Sequence, residues 1–391
     1  MVTGTSSPAT FPQGWTTLGH PGPSRLLLGA LRAGRLSHAY LIAGLARTGR
    51  KTLALDLARA VNCAPAPDLF GAAPARPCGQ CAQCSRITRG IHADVRVITV
   101  DTPVMSDRPA DSGDPASGAD TRHKAIRIGH IWDLERQAFL KPFEGAKRVF
   151  IIDGAELMSE EAANALLKTL EEPPPDVLLV LVATAPESVP QTILSRCHVI
   201  QLRPVPAEVI EQALQDRFHA PPEQARTLAR LARGRPGWAI NALVDPTALD
   251  RQAQAVIRIT GAIGGGLEAR FRYAREVADA FWRRRDDALL EMDLWLDWWR
   301  DVALVRHGLD KFVINIGWLP ALTALGKALD DQMISSTAAS VARTRRALEA
   351  NAIPRLALDV MMLDLPGADP GIFSGQGEAP EGAAGSVAAG R

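Results

Sequence analysis

Apolar residues fall in short, nearly unbroken runs through the first half of the chain and at helical spacing through the second. "HAYLIAG" (38–44) reads as a buried strand running into a glycine loop, and "DVRVITV" (94–100), "RVFIIDGAE" (148–156), "VLLVLVAT" (177–184) and "CHVIQL" (197–202) read as four more. Runs this apolar predict strands of a parallel sheet covered on both faces. Between them the period changes. Leu53, Leu57 and Val61, with Leu55 and Ala58 alongside, make a helical stripe, and residues 126–140 resume it. In "SEEAANALLKTLEEPPP", Ser159 is placed to cap a helix and Glu160 and Glu161 suit its positive end. Leu166, Leu167 and Leu170 form its buried face, and Pro173 ends it at Glu172. Strands alternating with helices over about 200 residues predict an α/β fold with a parallel sheet.

After Pro206 the strands stop. Residues 207–218, 223–234 and 237–244 read as three short helices, and the pattern stays helical from about Pro246 onward. Four tryptophans, Trp282, Trp295, Trp298 and Trp299, lie in that last region. They invite a base-stacking role, but Leu290, Leu294 and Trp298 are four apart, as are Trp295 and Trp299. That spacing is a broad apolar helix face, which assigns them to a core or a subunit interface.

Composition narrows the field. With 391 residues the chain should hold two or three domains, and its net charge of +1 gives no overall basic field for nucleic acid. No run of eighteen apolar residues is present, so no membrane-spanning helix is expected. The first residues lack a basic segment followed by an apolar one and read as a disordered lead-in. Residues 101–124 are rich in Pro, Ser, Gly, Asp and Ala and read as a flexible insertion; the Gly- and Ala-rich tail from Gly367 reads as disordered. Of five cysteines, three are bunched, which suits metal binding in a reducing cytoplasm better than a disulfide framework.

Cys78, Cys81 and Cys84 form C-x-x-C-x-x-C, and Cys63 is separated from Cys78 by a loop-like stretch of fourteen residues. Four thiolates surround Zn²⁺ tetrahedrally with no open position, so such a site is structural. The metal would fold a module with little core of its own. The blander alternative is a set of free thiols. His92 is a possible substitute ligand but also opens the next strand; Cys197, at a strand start, reads as buried.

"GLARTGRKT" (44–52) almost spells a phosphate-binding loop, whose pattern is Gly, four residues, Gly, Lys, then Ser or Thr. Gly44 and Gly49 have the right separation, but Arg50 precedes Lys51 and Thr52. One alignment puts Arg50 in the lysine position and Lys51 where Mg²⁺ needs a hydroxyl. The other allows an extra residue and keeps Lys51 and Thr52 in their usual roles. A working site also needs a strand-end Asp and a Glu that prepares the attacking water. Asp153 ends its strand correctly, but Gly154 stands where that Glu would be, and Glu156 follows two residues on. Nucleotide binding is therefore expected to be weak or absent, and turnover is not expected.

The degenerate loop, the four-cysteine module after the first helix, "IIDGAELMSEEAANALLKTLEEPPP", "VLLVLVAT" and "ILSRC" together resemble the AAA+ clamp-loader subunits of bacterial DNA polymerase III, over about residues 20–365. The motor members of that family carry an intact loop and an acidic pair; this chain has neither, so the likeness is to a non-motor member. The resemblance implies a RecA-like AAA+ domain over 19–205 after a disordered 1–18, with a zinc module at about 63–90. It further implies a helical lid over 206–245, a helical collar for oligomerisation over 246–366, and a disordered 367–391. It makes Cys63, Cys78, Cys81 and Cys84 the zinc ligands. Ser195, Arg196 and Cys197 match an SRC motif, in which Arg196 would be an arginine finger reaching a neighbour's ATP. Thr184 matches a sensor position, and Gly237 falls where motor subunits carry a second sensor arginine. The implied partners are gamma/tau and delta subunits in a heteropentamer, with the sliding clamp and primer–template DNA reached through the complex. The implied activity belongs to the DNA polymerase III holoenzyme, with no ATPase of the chain's own. Two rival readings are a competent gamma/tau-like ATPase with an atypical loop and a P-loop small-molecule kinase; the long helical C-terminal region disfavours the kinase.

Overall fold

Five short strands carry the apolar runs: β1 (Ala39–Ala43), β2 (Val95–Ile98), β3 (Arg148–Asp153), β4 (Val177–Ala183) and β5 (His198–Gln201). They form one sheet in the order β2-β3-β4-β1-β5, every pairing parallel. The computed structural model describes residues 14–64, 76–104, 125–245, 247–283, 285–350, 352–367 and 372. By contact density the chain divides into two units, Met1–Leu243 and Val244–Arg391.

In the first unit the two-residue period of the strands builds two cores. Leu41, Phe150, Ile152, Leu179 and Leu181 face one side, and Tyr40, Ile42, Val149, Ile151, Val180 and Val182 the other. The second of these cores is closed by α1 (Pro21–Arg32), α2 (Arg50–Asn62) and α3 (Ala82–Thr88), through Leu27, Leu53, Leu57, Val61 and Ile87. The first is closed by α4 (Ile128–Ala138), α5 (Glu160–Glu171) and α6 (Gln191–Leu194), through Ile131, Leu134, Leu166, Leu170 and Ile193. Helices on both faces explain why all seven residues of β4 are buried. Three short helices follow, α7 (Ala207–Phe218), α8 (Pro222–Leu231) and α9 (Pro236–Val244). All but the last residue of α9 fall within the first unit.

α5 begins as its sequence requires: Ser159 Oγ accepts from the Ala162 N–H at 3.2 Å, and the helix stops at Glu171 with Glu172 as its C-cap. α1, α3 and α6 do not stand out in the sequence. α3 buries only Cys84 and Ile87, too few positions to show a period. The disordered lead-in expected over 1–18 is too long. Residues 1–13 lie outside the described residues, but Trp15, Thr17 and Leu18 are buried. The cause is Asp56 in α2, whose carboxylate accepts the backbone N–H groups of Thr16 and Thr17 at 2.9 and 2.8 Å and both their hydroxyls. Residues 105–124 of the expected insertion, 65–75 of the cysteine module, and all of the expected tail except 367 and 372 lie outside the described residues.

The second unit comprises α10 (Thr247–Gly264), α11 (Leu267–Phe281), α12 (Arg285–Arg306), α13 (Leu319–Ala328), α14 (Asp331–Glu349) and α15 (Pro354–Leu363). Trp295, Trp298 and Trp299 of α12 are fully buried in its core, and Trp282 packs against the same core, edge-on to Phe281. Trp295 Nε1 donates to Tyr273 Oη at 2.7 Å, which donates to Glu291 Oε1 at 3.1 Å, and Arg258 pairs with the same carboxylate. The tryptophans are core residues, as their spacing indicates. Among the described residues no helix is long and apolar enough to cross a membrane.

Candidate functional site

β1 ends at Ala43 and the chain turns over Gly44, whose φ of 156° and close approach to Leu202 exclude a side chain; a Cβ there would meet the Leu202 carbonyl oxygen at 2.7 Å. The turn closes through Thr48, whose Oγ1 donates to the Leu45 carbonyl at 2.7 Å. Behind it His20 Nε2 donates to the Thr48 carbonyl at 2.9 Å, and burial lowers the pKa of that imidazole. Gly49, at φ 105°, is the N-cap of α2. The helix therefore starts at Arg50, with Lys51 second and Thr52 third, so the loop carries no inserted residue between Gly49 and the helix. Two cations and no acid occupy the first turn, opposite to what the helix dipole favours.

Strand register brings acids to meet them. Asp153 closes β3, level with Val182 of β4. Its Oδ2 lies 3.1 Å from Lys51 Nζ. Past Gly154, at φ 96°, Glu156 turns back and its Oε1 accepts the Thr184 N–H at 3.2 Å, at the end of β4. Arg50 is half-buried between these groups: burial lowers its pKa, and the charges of Glu156 and Asp153 oppose that. The start of α9 closes the loop from above. The Gly237 N–H donates to the Arg47 carbonyl at 2.9 Å, and a Cβ at 237 would crowd that oxygen at 3.0 Å. The structure thus brings together Gly44, Gly49, Arg50, Lys51, Thr52, Asp153 and Thr184 at the C-terminal edge of the sheet, where open α/β sheets bind ligands.

Ser195 and Arg196 are elsewhere. They form the turn between α6 and β5, and His198 at the start of β5 is level with Tyr40 near the start of β1. The loop lies off the opposite end of β1, roughly 13 Å away at 3.3 Å per residue over four residues. The Arg196 guanidinium donates to the Thr192 carbonyl at 2.9 Å, to Ser195 Oγ at 3.3 Å and to Glu171 Oε1 at 2.5 Å. Glu171 lies within the run "LLKTLEEPPP" quoted above, where it was given no role. Its signal was a pair of acids at a helix C-terminus, where the dipole disfavours them.

The four cysteine Sγ atoms lie within 4.8 Å of one another, and Cys63 and Cys81 are 4.0 Å apart. Tetrahedral Zn–S bonds of about 2.3 Å require sulfur separations of about 3.8 Å. Backbone N–H groups already point at the sulfurs: Cys78 to Cys63, Cys81 to Cys78 and Cys84 to Cys81, at 3.3–3.4 Å. Burial works against a charged Cys78, but the N–H groups of Cys81 and Gln80 outweigh it and bring the thiol down to about 7. Burial pushes Cys63 up to about 11. The group fits a cation that would hold all four as thiolates. His92 is not part of it; its Nε2 meets Gln83 Oε1 at 2.7 Å. Cys197 is half-buried, and burial pushes it up to about 12.

Comparison with known proteins accords with this arrangement. A family profile described as DNA polymerase III, delta subunit, matches residues 19–206. DNA polymerase III subunit delta' of Bacillus subtilis is 26% identical over 334 residues, covering 85% of this chain and 91% of its own length. The chain is similar to DNA polymerase III clamp-loader subunits of the delta'/gamma/tau type. Subunit tau of Escherichia coli is 32% identical over 213 residues, covering 53% of this chain, which spans only 29% of tau's length. Among solved structures, a gamma subunit-related protein of Thermotoga maritima covers 82% of this chain and 99% of its own at 17% identity, with a TM-score of 0.35. The clamp-loader delta protein of Bacillus subtilis gives a TM-score of 0.29 at 12% identity, covering 87% of this chain and 98% of its own.

Proposed function

We propose that this chain is a non-catalytic, delta-prime-type stator of a clamp loader, which lends Arg196 to a neighbouring subunit's ATP and does not hydrolyse ATP itself. The observation that carries this reading is the Lys51–Asp153 pair. With α2 starting at Arg50, Lys51 takes the place of the metal-binding hydroxyl, and its ammonium pairs with Asp153, the strand-end acid that would otherwise help to hold Mg²⁺. An anion held by an internal cation has little attraction left for a metal. Glu156, the nearest acid to the water-activating position, is tied to the Thr184 N–H.

Arg196 supports the second half of the reading. It stands at the edge of the sheet away from its own loop, so any phosphate it meets belongs to another chain. A guanidinium is permanently charged and forks onto phosphate oxygens, and a finger supplied in trans is worth about 10³–10⁵ in rate. Gamma/tau and delta subunits are the partners, and the sliding clamp and primed DNA are reached through the assembled ring. In this reading α7–α9 act as the lid over the loop, and α10–α15 form the collar. The four cysteines hold a structural Zn²⁺.

The 32% identity to tau over the shared region favours one alternative, a gamma/tau-like ATPase. Two measurements separate them. The isolated chain should show no Mg²⁺-dependent ATP turnover, and Arg196→Ala should leave the assembled complex intact while slowing its DNA-stimulated turnover by at least tenfold. Brisk hydrolysis by the isolated chain, or an unaltered rate with Arg196→Ala, overturns the stator reading.

A further inference from the structure

Glu171 is the last residue of α5, and Glu172 is its C-cap. Two carboxylates at the negative end of a helix dipole oppose helix stability. Neither contributes to the core. Both leave the helix at the same edge of the sheet from which Arg196 projects, since β4 follows α5 and β5 follows Arg196 in parallel. Glu171 Oε1 lies 2.5 Å from Arg196 NH2, while the Thr192 carbonyl and Ser195 Oγ hold NH1 at 2.9 and 3.3 Å.

A guanidinium has five N–H groups. Three are occupied by this cradle, which fixes the plane of the group from two elements, the α5 terminus and the α6 turn. Two remain for a ligand. An arginine on an exposed turn otherwise spends its long side chain among many rotamers, and that freedom is lost on docking. The cradle removes most of that loss beforehand.

We propose that Glu171 is the positioning residue of Arg196: it holds the guanidinium in a fixed plane with two N–H groups directed outward, toward a phosphate of the adjoining subunit. This rests on the finger reading above. Glu171 touches no substrate. Its carboxylate balances the guanidinium in the free chain and continues to hold one N–H when the other two engage the phosphate. An acid at this spot suits orientation better than sequestration, because it takes one donor of five and leaves a fork free.

The test has two arms on the full chain. In the isolated protein, the ¹⁵Nε–¹H signal of Arg196 should report a side chain ordered on the nanosecond scale. Glu171→Ala should make it mobile, and Glu171→Gln, whose amide oxygen still accepts, should restore most of the order. In the complex reconstituted with gamma/tau and delta, Glu171→Ala should lower kcat for DNA-stimulated ATP turnover by about three- to fivefold, the range for a part-exposed ion pair. KM for ATP should be unchanged, and Glu171→Gln should recover at least half the rate. An Arg196 signal that stays ordered in Glu171→Ala overturns the proposal. So does a rate equal to or above wild type in a complex that Arg196→Ala slows. If Arg196→Ala itself leaves the rate unchanged, the finger reading falls, and the Glu171–Arg196 contact is then a surface ion pair only.

Discussion

The ammonium of Lys51, second residue of α2, lies 3.1 Å from the carboxylate of Asp153, last residue of β3. A nucleotide site normally sets a divalent cation between a loop hydroxyl and a strand-end acid. Here a covalently tethered side chain supplies the positive charge that Asp153 pairs with.

Removing that cation should open the site. The double variant Arg50→Lys, Lys51→Thr gives the helix start the lysine and hydroxyl of the phosphate-loop pattern. Isothermal titration of the isolated chain should show Mg²⁺–ATP affinity at least tenfold above wild type, with turnover still absent, since the proposed reading puts Gly154 at the water-activating position. No gain in affinity would move the obstruction to the Gly237–Arg47 closure.

The cysteine group should hold one zinc per chain. Metal analysis of the purified protein should find it, and Cys81→Ser should lose it. A metal held there would organise a module with few apolar contacts, so chelation should lower the melting temperature by several degrees and expose residues 76–90 to protease, leaving the sheet folded. Zinc at less than a tenth of the protein concentration in a chain purified without chelator would contradict this.

Asp94 is 1% exposed and accepts the backbone N–H groups of Phe143, Glu144 and Gly145, each at 2.8 Å, with Arg148 3.3 Å away. Burial opposes its charge, but those three N–H groups and the guanidinium outweigh it and hold its pKa below the ordinary value. A carboxylate depressed in the folded state stabilises fully above its unfolded pKa of about 3.9 and loses that contribution as pH falls toward the folded value. Denaturant melts should therefore show stability dropping below about pH 4. Asp94→Ala should cost about 3–5 kcal/mol at neutral pH, as removal of one member of a buried pair does, and should flatten that acid limb.

Asp56 should be as sensitive for a different reason. It ties Thr16 and Thr17 to α2 and pairs with buried Arg59. Asp56→Ala leaves that guanidinium without its anion and releases the segment ahead of α1, at a cost of about 3–5 kcal/mol. Limited proteolysis should cut near Thr16 and Thr17 in the variant and not in the wild type.

β1, β3 and β4 were legible because each is a run shorter than a helix and apolar on both faces, and α5 was legible because Ser159 and Pro173 mark its ends. The cysteine group was legible from spacing alone. α3 and α6 were not, since helices of seven and four residues show no period. The four residues at 15–18 were misjudged because what orders them, Asp56, lies 39 and 40 positions away from Thr17 and Thr16.

Sequence by itself determined the parallel α/β architecture, the four-cysteine group and a glycine loop that departs from the phosphate-binding pattern, because these depend on local period and spacing. Which of the two loop alignments applies was decided only in three dimensions, by where α2 begins and by the acid that β3 delivers to Lys51. The pairing of Glu171 with Arg196 was decided there too. Both are charge contacts between residues far apart in the chain, and no local pattern encodes which strand end meets which helix end.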